Sequence, residues 1–85
     1  MAATRDEIGK WFDEAVARGA THMVVVCDDF DYEDYPVPVM PGEDPRQIAA
    51  EYDGKSMQRV MEVYCLSMNR NAQLGEHRAF HYQAA

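Results

Sequence analysis

The sequence predicts a small α+β fold, a helix–strand–strand–helix–strand–helix chain whose three strands form one sheet in the order 2-1-3. Three observations carry that prediction. An amphipathic helical stripe opens the chain, a run of three valines reads as a strand covered on both faces, and a proline-punctuated extended segment follows at hairpin distance. Eighty-five residues allow one domain, residues 1–85, with one modest core. An apolar share of 47 % with 27 % charged residues is ordinary globular composition, which excludes a disordered chain.

The first helix is announced by Thr4 and Glu7. At this spacing each side chain satisfies an amide left unbonded at a helix start. Asp6 and Glu7 also suit the positive end of the helix dipole. Ile8, Trp11, Phe12, Ala15 and Val16 then occupy one helical face, and Gly19 ends the helix by accepting a left-handed conformation. On that stripe Trp11 reads as core rather than as a binding platform.

Residues 21–27 form a strand. Val24, Val25 and Val26 are consecutive, so both faces are covered and the strand is central. In residues 35–40, Pro36 and Pro38 fix the backbone and remove amide donors, which places this second strand at a sheet edge. Pro41-Gly42 makes a turn. Asp44 caps a short helix with Pro45 at its first position, and Gly54 ends it.

Residues 57–67 fit two patterns. Met57, Val60, Met61, Tyr64, Cys65 and Met68 make a helical stripe, while alternation of Val60, Glu62, Tyr64 and Leu66 with Met61, Val63 and Cys65 makes a strand apolar on both sides. The strand is preferred because the triple-valine strand needs a second neighbour, which a crossover supplies. A hairpin with four helices is the fallback. Asn69 or Asn71 caps a last helix carrying Ala72, Leu74, Glu76, Arg78 and Phe80, with Leu74 and Phe80 buried. The helices are expected on one main face of the sheet.

Charge is unevenly distributed. Between Gly19 and Pro45 there is no Lys or Arg, and seven acids stand there; the remaining residues balance, so the net charge of −7 resides in this segment. Its centre, Asp28-Asp29-Phe30-Asp31-Tyr32-Glu33-Asp34-Tyr35, interleaves carboxylates with aromatic rings. Such a surface repels phosphate backbones and anionic membranes, so no direct nucleic-acid or membrane binding is expected, and a basic protein surface is the expected partner. No apolar run approaches the roughly 20 residues of a membrane span. The N-terminus lacks the order of a secretory signal, which makes the cytoplasm the expected location. Cys27 and Cys65 lie in apolar runs and read as buried free thiols. No cofactor is expected, and a homo-oligomer stays open.

The run Gly19-Ala20-Thr21-His22-Met23-Val24-Val25-Val26-Cys27-Asp28-Asp29-Phe30-Asp31-Tyr32-Glu33-Asp34-Tyr35-Pro36-Val37 resembles a family of small bacterial and phage proteins to which no activity is attached. The resemblance extends to Met57-Gln58-Arg59-Val60-Met61-Glu62-Val63-Tyr64. It implies a bacterial, phage or mobile-element origin and assigns no site residue.

Among chemical constellations, Asp29-x-Asp31-x-Glu33 opens like a calcium loop, but the sixth and twelfth positions from Asp29 hold Asp34 and Met40 where an EF-hand needs Gly and Glu. A looser Mg²⁺ or Mn²⁺ site would use Asp28, Asp29 and Asp31. His77 and His81 would share a helical face, with His22, Glu76 or Cys65 as a further zinc ligand. Cys27 is a poor nucleophile, because the neighbouring carboxylates disfavour its thiolate. The expected function is therefore a non-enzymatic interaction or regulatory protein that binds a basic surface through residues 28–35. One form is a nucleic-acid-mimicking inhibitor of host defence, on the analogy of anti-CRISPR proteins. The alternative is a divalent-metal-dependent enzyme built on Asp28, Asp29 and Asp31, with Glu62.

Overall fold

Thr4 starts the first helix as its side chain dictates. In the computed structural model, which describes residues 3–83, Thr4 Oγ1 accepts the Glu7 amide at 3.2 Å, and the Glu7 carboxylate accepts the Thr4 amide at 3.5 Å. A cap of this kind stabilises a helix by about 1 kcal/mol. The chain then runs α1 (Arg5–Ala17), β1 (His22–Asp28), β2 (Glu33–Val39), α2 (Pro45–Tyr52), β3 (Gln58–Cys65) and α3 (Arg70–Leu74). Residues 1, 2, 84 and 85, and with them the start of the N-terminal reading and the ends of the 1–85 domain, lie outside the described residues.

The sheet has the expected order β2-β1-β3, and β1 is antiparallel to both neighbours. Residues 22–27 of β1 are all buried. Alternation sends Met23 and Val25 to one face, where they pack with Ile8, Phe12, Ala15 and Tyr64. Val24 and Val26 go to the other, against Val39, Ala49 and Val63. Each fully buried valine contributes about 1.5–3 kcal/mol relative to exposure. The expectation of one main helical face is thereby corrected: α1 covers one face and α2 the other, because an apolar strand with no polar side has two faces to hide. Val16, expected on the α1 stripe, is 49 % exposed, while Trp11 packs at the core margin.

A bulge shapes β3. Val25 pairs with Glu62 but Val26 pairs with Val60, so Met61 is an extra residue and same-face positions there are three apart instead of two. Val60 and Val63 therefore share the α2 face, and Glu62 and Tyr64 the α1 face.

Both sheet edges are closed to further pairing. Pro36 and Pro38 cannot donate, so β2 bonds β1 through the amides of Tyr35, Val37 and Val39 and presents proline nitrogens to solvent. On the outer edge of β3, four amides find partners: Gln58 to Lys55 O, Val60 to Asp53 Oδ1, Val63 to Ala79 O, and Cys65 to Gln73 Oε1. The Gln73 amide nitrogen in turn donates to Cys65 O at 2.9 Å, so one buried side chain replaces a missing strand.

The last helix is shorter than expected. It ends at Gly75, and the following chain extends along β3, where Phe80 forms a parallel bridge with Val63. Ala79 is fully buried, whereas Phe80 is 45 % exposed, reversing the expectation that Phe80 would be core. Edge hydrogen bonds, unavailable to an isolated segment, outweigh helical periodicity here.

Candidate functional site

Three strand ends meet at one pole of the sheet: the end of β1 and the starts of β2 and β3. Between β1 and β2 the chain turns within four residues. Asp28 Oδ1 accepts the Phe30 amide at 2.8 Å, Asp28 O accepts the Tyr32 amide at 2.7 Å, and Tyr32 takes a left-handed φ of 57°. Asp28 is thus a turn-forming side chain.

The neighbouring acids divide into two groups. Asp29 donates its amide to Met57 O at 2.7 Å and pairs its carboxylate with Arg59 Nε at 3.0 Å. Asp34 accepts the Ala3 amide at 3.0 Å, fastening the chain ahead of α1 to β2. Asp31 and Glu33 are exposed. The rings divide likewise. Tyr35 packs edge-to-face on Tyr52, its centroid 6.5 Å away, and its hydroxyl accepts from Gln58 Nε2 at 2.7 Å. Burial, then the Tyr52 hydroxyl and the Asp28 charge, push the Tyr35 hydroxyl pKa up. Phe30 and Tyr32, by contrast, are 72 % and 66 % exposed.

Of the eight residues singled out from the sequence, Asp28, Asp29, Asp34 and Tyr35 hold the pole together, and Phe30, Asp31, Tyr32 and Glu33 form its outer surface. One neighbour escaped the sequence reading. Met57, 59 % exposed, follows Ser56, and both have left-handed φ values, 53° and 60°. Asp53-Gly54 signals the turn ahead of them, but the left-handed conformation at Ser56 and Met57 has no signature of its own, since it usually falls to Gly or Asn.

Among the described residues no three His, Cys, Asp or Glu side chains are grouped to hold a metal ion. Asp28, Asp29 and Asp31 have separate roles, and Glu62 lies on the α1 face, bound by Arg5 Nη1 through both oxygens at 3.0 Å. His77 and His81 do not share a helix: both follow α3, and His81 Nε2 bonds Glu76 at 2.9 Å. His22 is buried, with Nδ1 at 2.9 Å from Thr21 Oγ1 and Nε2 on Gln83 O. Both cysteines are buried free thiols. Burial, followed by Asp34, raises the Cys27 thiol pKa, so Cys27 is protonated and not a nucleophile at neutral pH.

Among the described residues no helix is long and apolar enough to cross a membrane. Compared with protein-family models, curated proteins and solved structures, the chain matches none.

Proposed function

We propose that this protein is a non-enzymatic interaction module that docks on a basic protein surface through the tip of its β1–β2 hairpin. The observation that carries the reading is the pair of large rings, Phe30 and Tyr32, held 72 % and 66 % exposed beside the exposed carboxylates of Asp31 and Glu33. Aromatic side chains are favoured interface anchors, and carboxylates accept paired hydrogen bonds from Arg. The absence of Lys and Arg from Gly19 to Pro45 leaves that pole acidic, which speeds and orients the approach of a cationic partner. Asp28, Asp29, Asp34 and Tyr35 act by positioning this tip.

The test compares capture from a bacterial lysate, at low and high salt, by the native protein and two variants. Phe30→Ser removes an anchor worth about 2 kcal/mol, or roughly thirtyfold in affinity. Asp31→Asn with Glu33→Gln removes charge without touching the Asp28 hydrogen bonds that set the turn. The expected result is one basic partner, released by salt and lost with either variant. Equal capture by all three proteins overturns the proposal. A narrower form, in which the acidic tip occupies a groove shaped for phosphates, adds that DNA or RNA competes for the captured partner.

A further inference from the structure

On the α2 face of the sheet, α2 and the C-terminal segment bound an open groove of about 350 Å³. Ala49 and Val60 form its floor, Phe80 and Tyr82 one wall, and Arg46 and Asp53 mark its two ends along α2. The two end residues are seven positions apart, about 10.5 Å along a helix axis. Arg46 lies over the Tyr82 ring, 4.5 Å from its centroid, and makes no ion pair among the described residues. Asp53 uses one carboxylate oxygen for the Val60 amide. Ala50, exposed, stands midway between the charges.

A positive and a negative end placed symmetrically about a small residue are complementary to themselves under a two-fold rotation. We propose that the groove is the interface of a homodimer in which α2 of a second copy lies antiparallel on α2 of the first. Each Arg46 then meets Asp53 of the second copy, and Ala50 sits beside the symmetry axis, where its small side chain allows the backbones to approach. Phe80 loses its exposed area to the partner, which supplies the apolar part of the interface. Charge complementarity selects a second copy over an unrelated occupant. Of the seven acids that carry the net charge of −7, five lie at the acidic pole, and Glu43 and Asp44 stand at the Arg46 end of α2. The Asp53 end of α2 leads into the acidic pole, as the pairing of Asp28 with Gln58 shows, so antiparallel helices carry the two poles to opposite ends of the dimer.

Sedimentation velocity across the micromolar range tests the proposal. The native chain should form a dimer, and Ala50→Glu, which sets two carboxylates against each other at the axis, should weaken it at least tenfold with an unchanged circular dichroism spectrum. A second measurement does not depend on that variant. Under mild oxidation Ala50→Cys should cross-link as a symmetric disulfide, while Ala17→Cys, exposed on α1, should not; the native thiols are buried and stay silent. A native chain that stays monomeric, an Ala50→Glu variant that associates as well as the native, or equal cross-linking at the two positions would each overturn the dimer.

Discussion

Arg5 and Glu62 offer the sharpest test of how this fold is held. Glu62 is buried, with 8 % of its side chain exposed, whereas Arg5 is 46 % exposed. Arg5 Nη1 also donates to the Tyr64 hydroxyl at 3.1 Å, and Nη2 to the carbonyls of Glu76 and His77 at 3.0 and 3.1 Å. Glu62 Oε1 accepts the Ala79 amide at 3.2 Å. One guanidinium therefore joins α1, β3 and the C-terminal segment, and Glu62 raises its pKa above the ordinary arginine value. The asymmetry in burial decides which partner is costlier to lose. Glu62→Gln keeps an acceptor for Ala79 and leaves a cation that water can reach, so the loss is about 2 kcal/mol. Arg5→Met keeps the aliphatic stem but strands a buried carboxylate without its cation, at about 3–4 kcal/mol. In a domain of this size these amount to about 8–16 °C and 12–32 °C in melting temperature. The distinctive expectation is a sign. Adding Glu62→Gln to Arg5→Met should raise stability, because it neutralises the stranded charge. Thermal and urea unfolding followed by circular dichroism measure all three variants. If Arg5→Met is the milder single change, or the second substitution gives no recovery, the carboxylate is not desolvated and the reasoning fails.

Two further outcomes are expected. Gln73→Leu leaves the amide and carbonyl of Cys65 without the partners they have at 2.9 Å, so it should cost about 2–3 kcal/mol, and the Cys65 amide should lose its protection from hydrogen exchange. Stability should also fall at alkaline pH. Burial raises the Cys27 thiol above its usual 9.0, the Tyr35 hydroxyl above 10.0, and, with Glu62 adding to it, the Tyr64 hydroxyl further still. The unfolded chain then gives up these protons first, so their contribution is complete below the unfolded values and lost as pH rises toward the folded ones. Urea midpoints should be level to about pH 8 and decline beyond about pH 9, and Cys27→Ala should delay the onset. A flat profile through that range would refute this account.

Much of the fold was readable where a few adjacent residues decide the matter. Thr4 with Glu7, the three valines of β1, the two prolines of β2 and Asp44 with Pro45 each act over a few positions, and each element formed as expected. β3 looked equally helical for a reason now visible. The Met61 bulge spaces Val60 from Val63 by three, which is the spacing of a helix face. Residues 76–83 misled because their conformation answers to the edge of β3 and not to their own pattern. At the acidic pole, charge was plain in the sequence but its division of labour was not. Nothing local says that Asp34 will receive the Ala3 amide, 31 positions away, or that Asp29 will meet Arg59 and Met57 across the sheet.

The clasp formed by Arg5 also bears on how the protein comes into being. Its bonds to Glu62, Glu76 and His77 span 57 to 72 positions, and Ala79 completes the core beneath α1. A ribosome delivers the N-terminal partner first. Until the chain past Ala79 has left the exit tunnel, β3 lacks its cover and α1, though it can lie on Met23 and Val25, lacks the partners of Arg5, so the early helix and hairpin wait unfinished. Folding of this domain is therefore an event that follows synthesis of its last described residues, and its exposed valines are what a nascent-chain chaperone would meet in the interval.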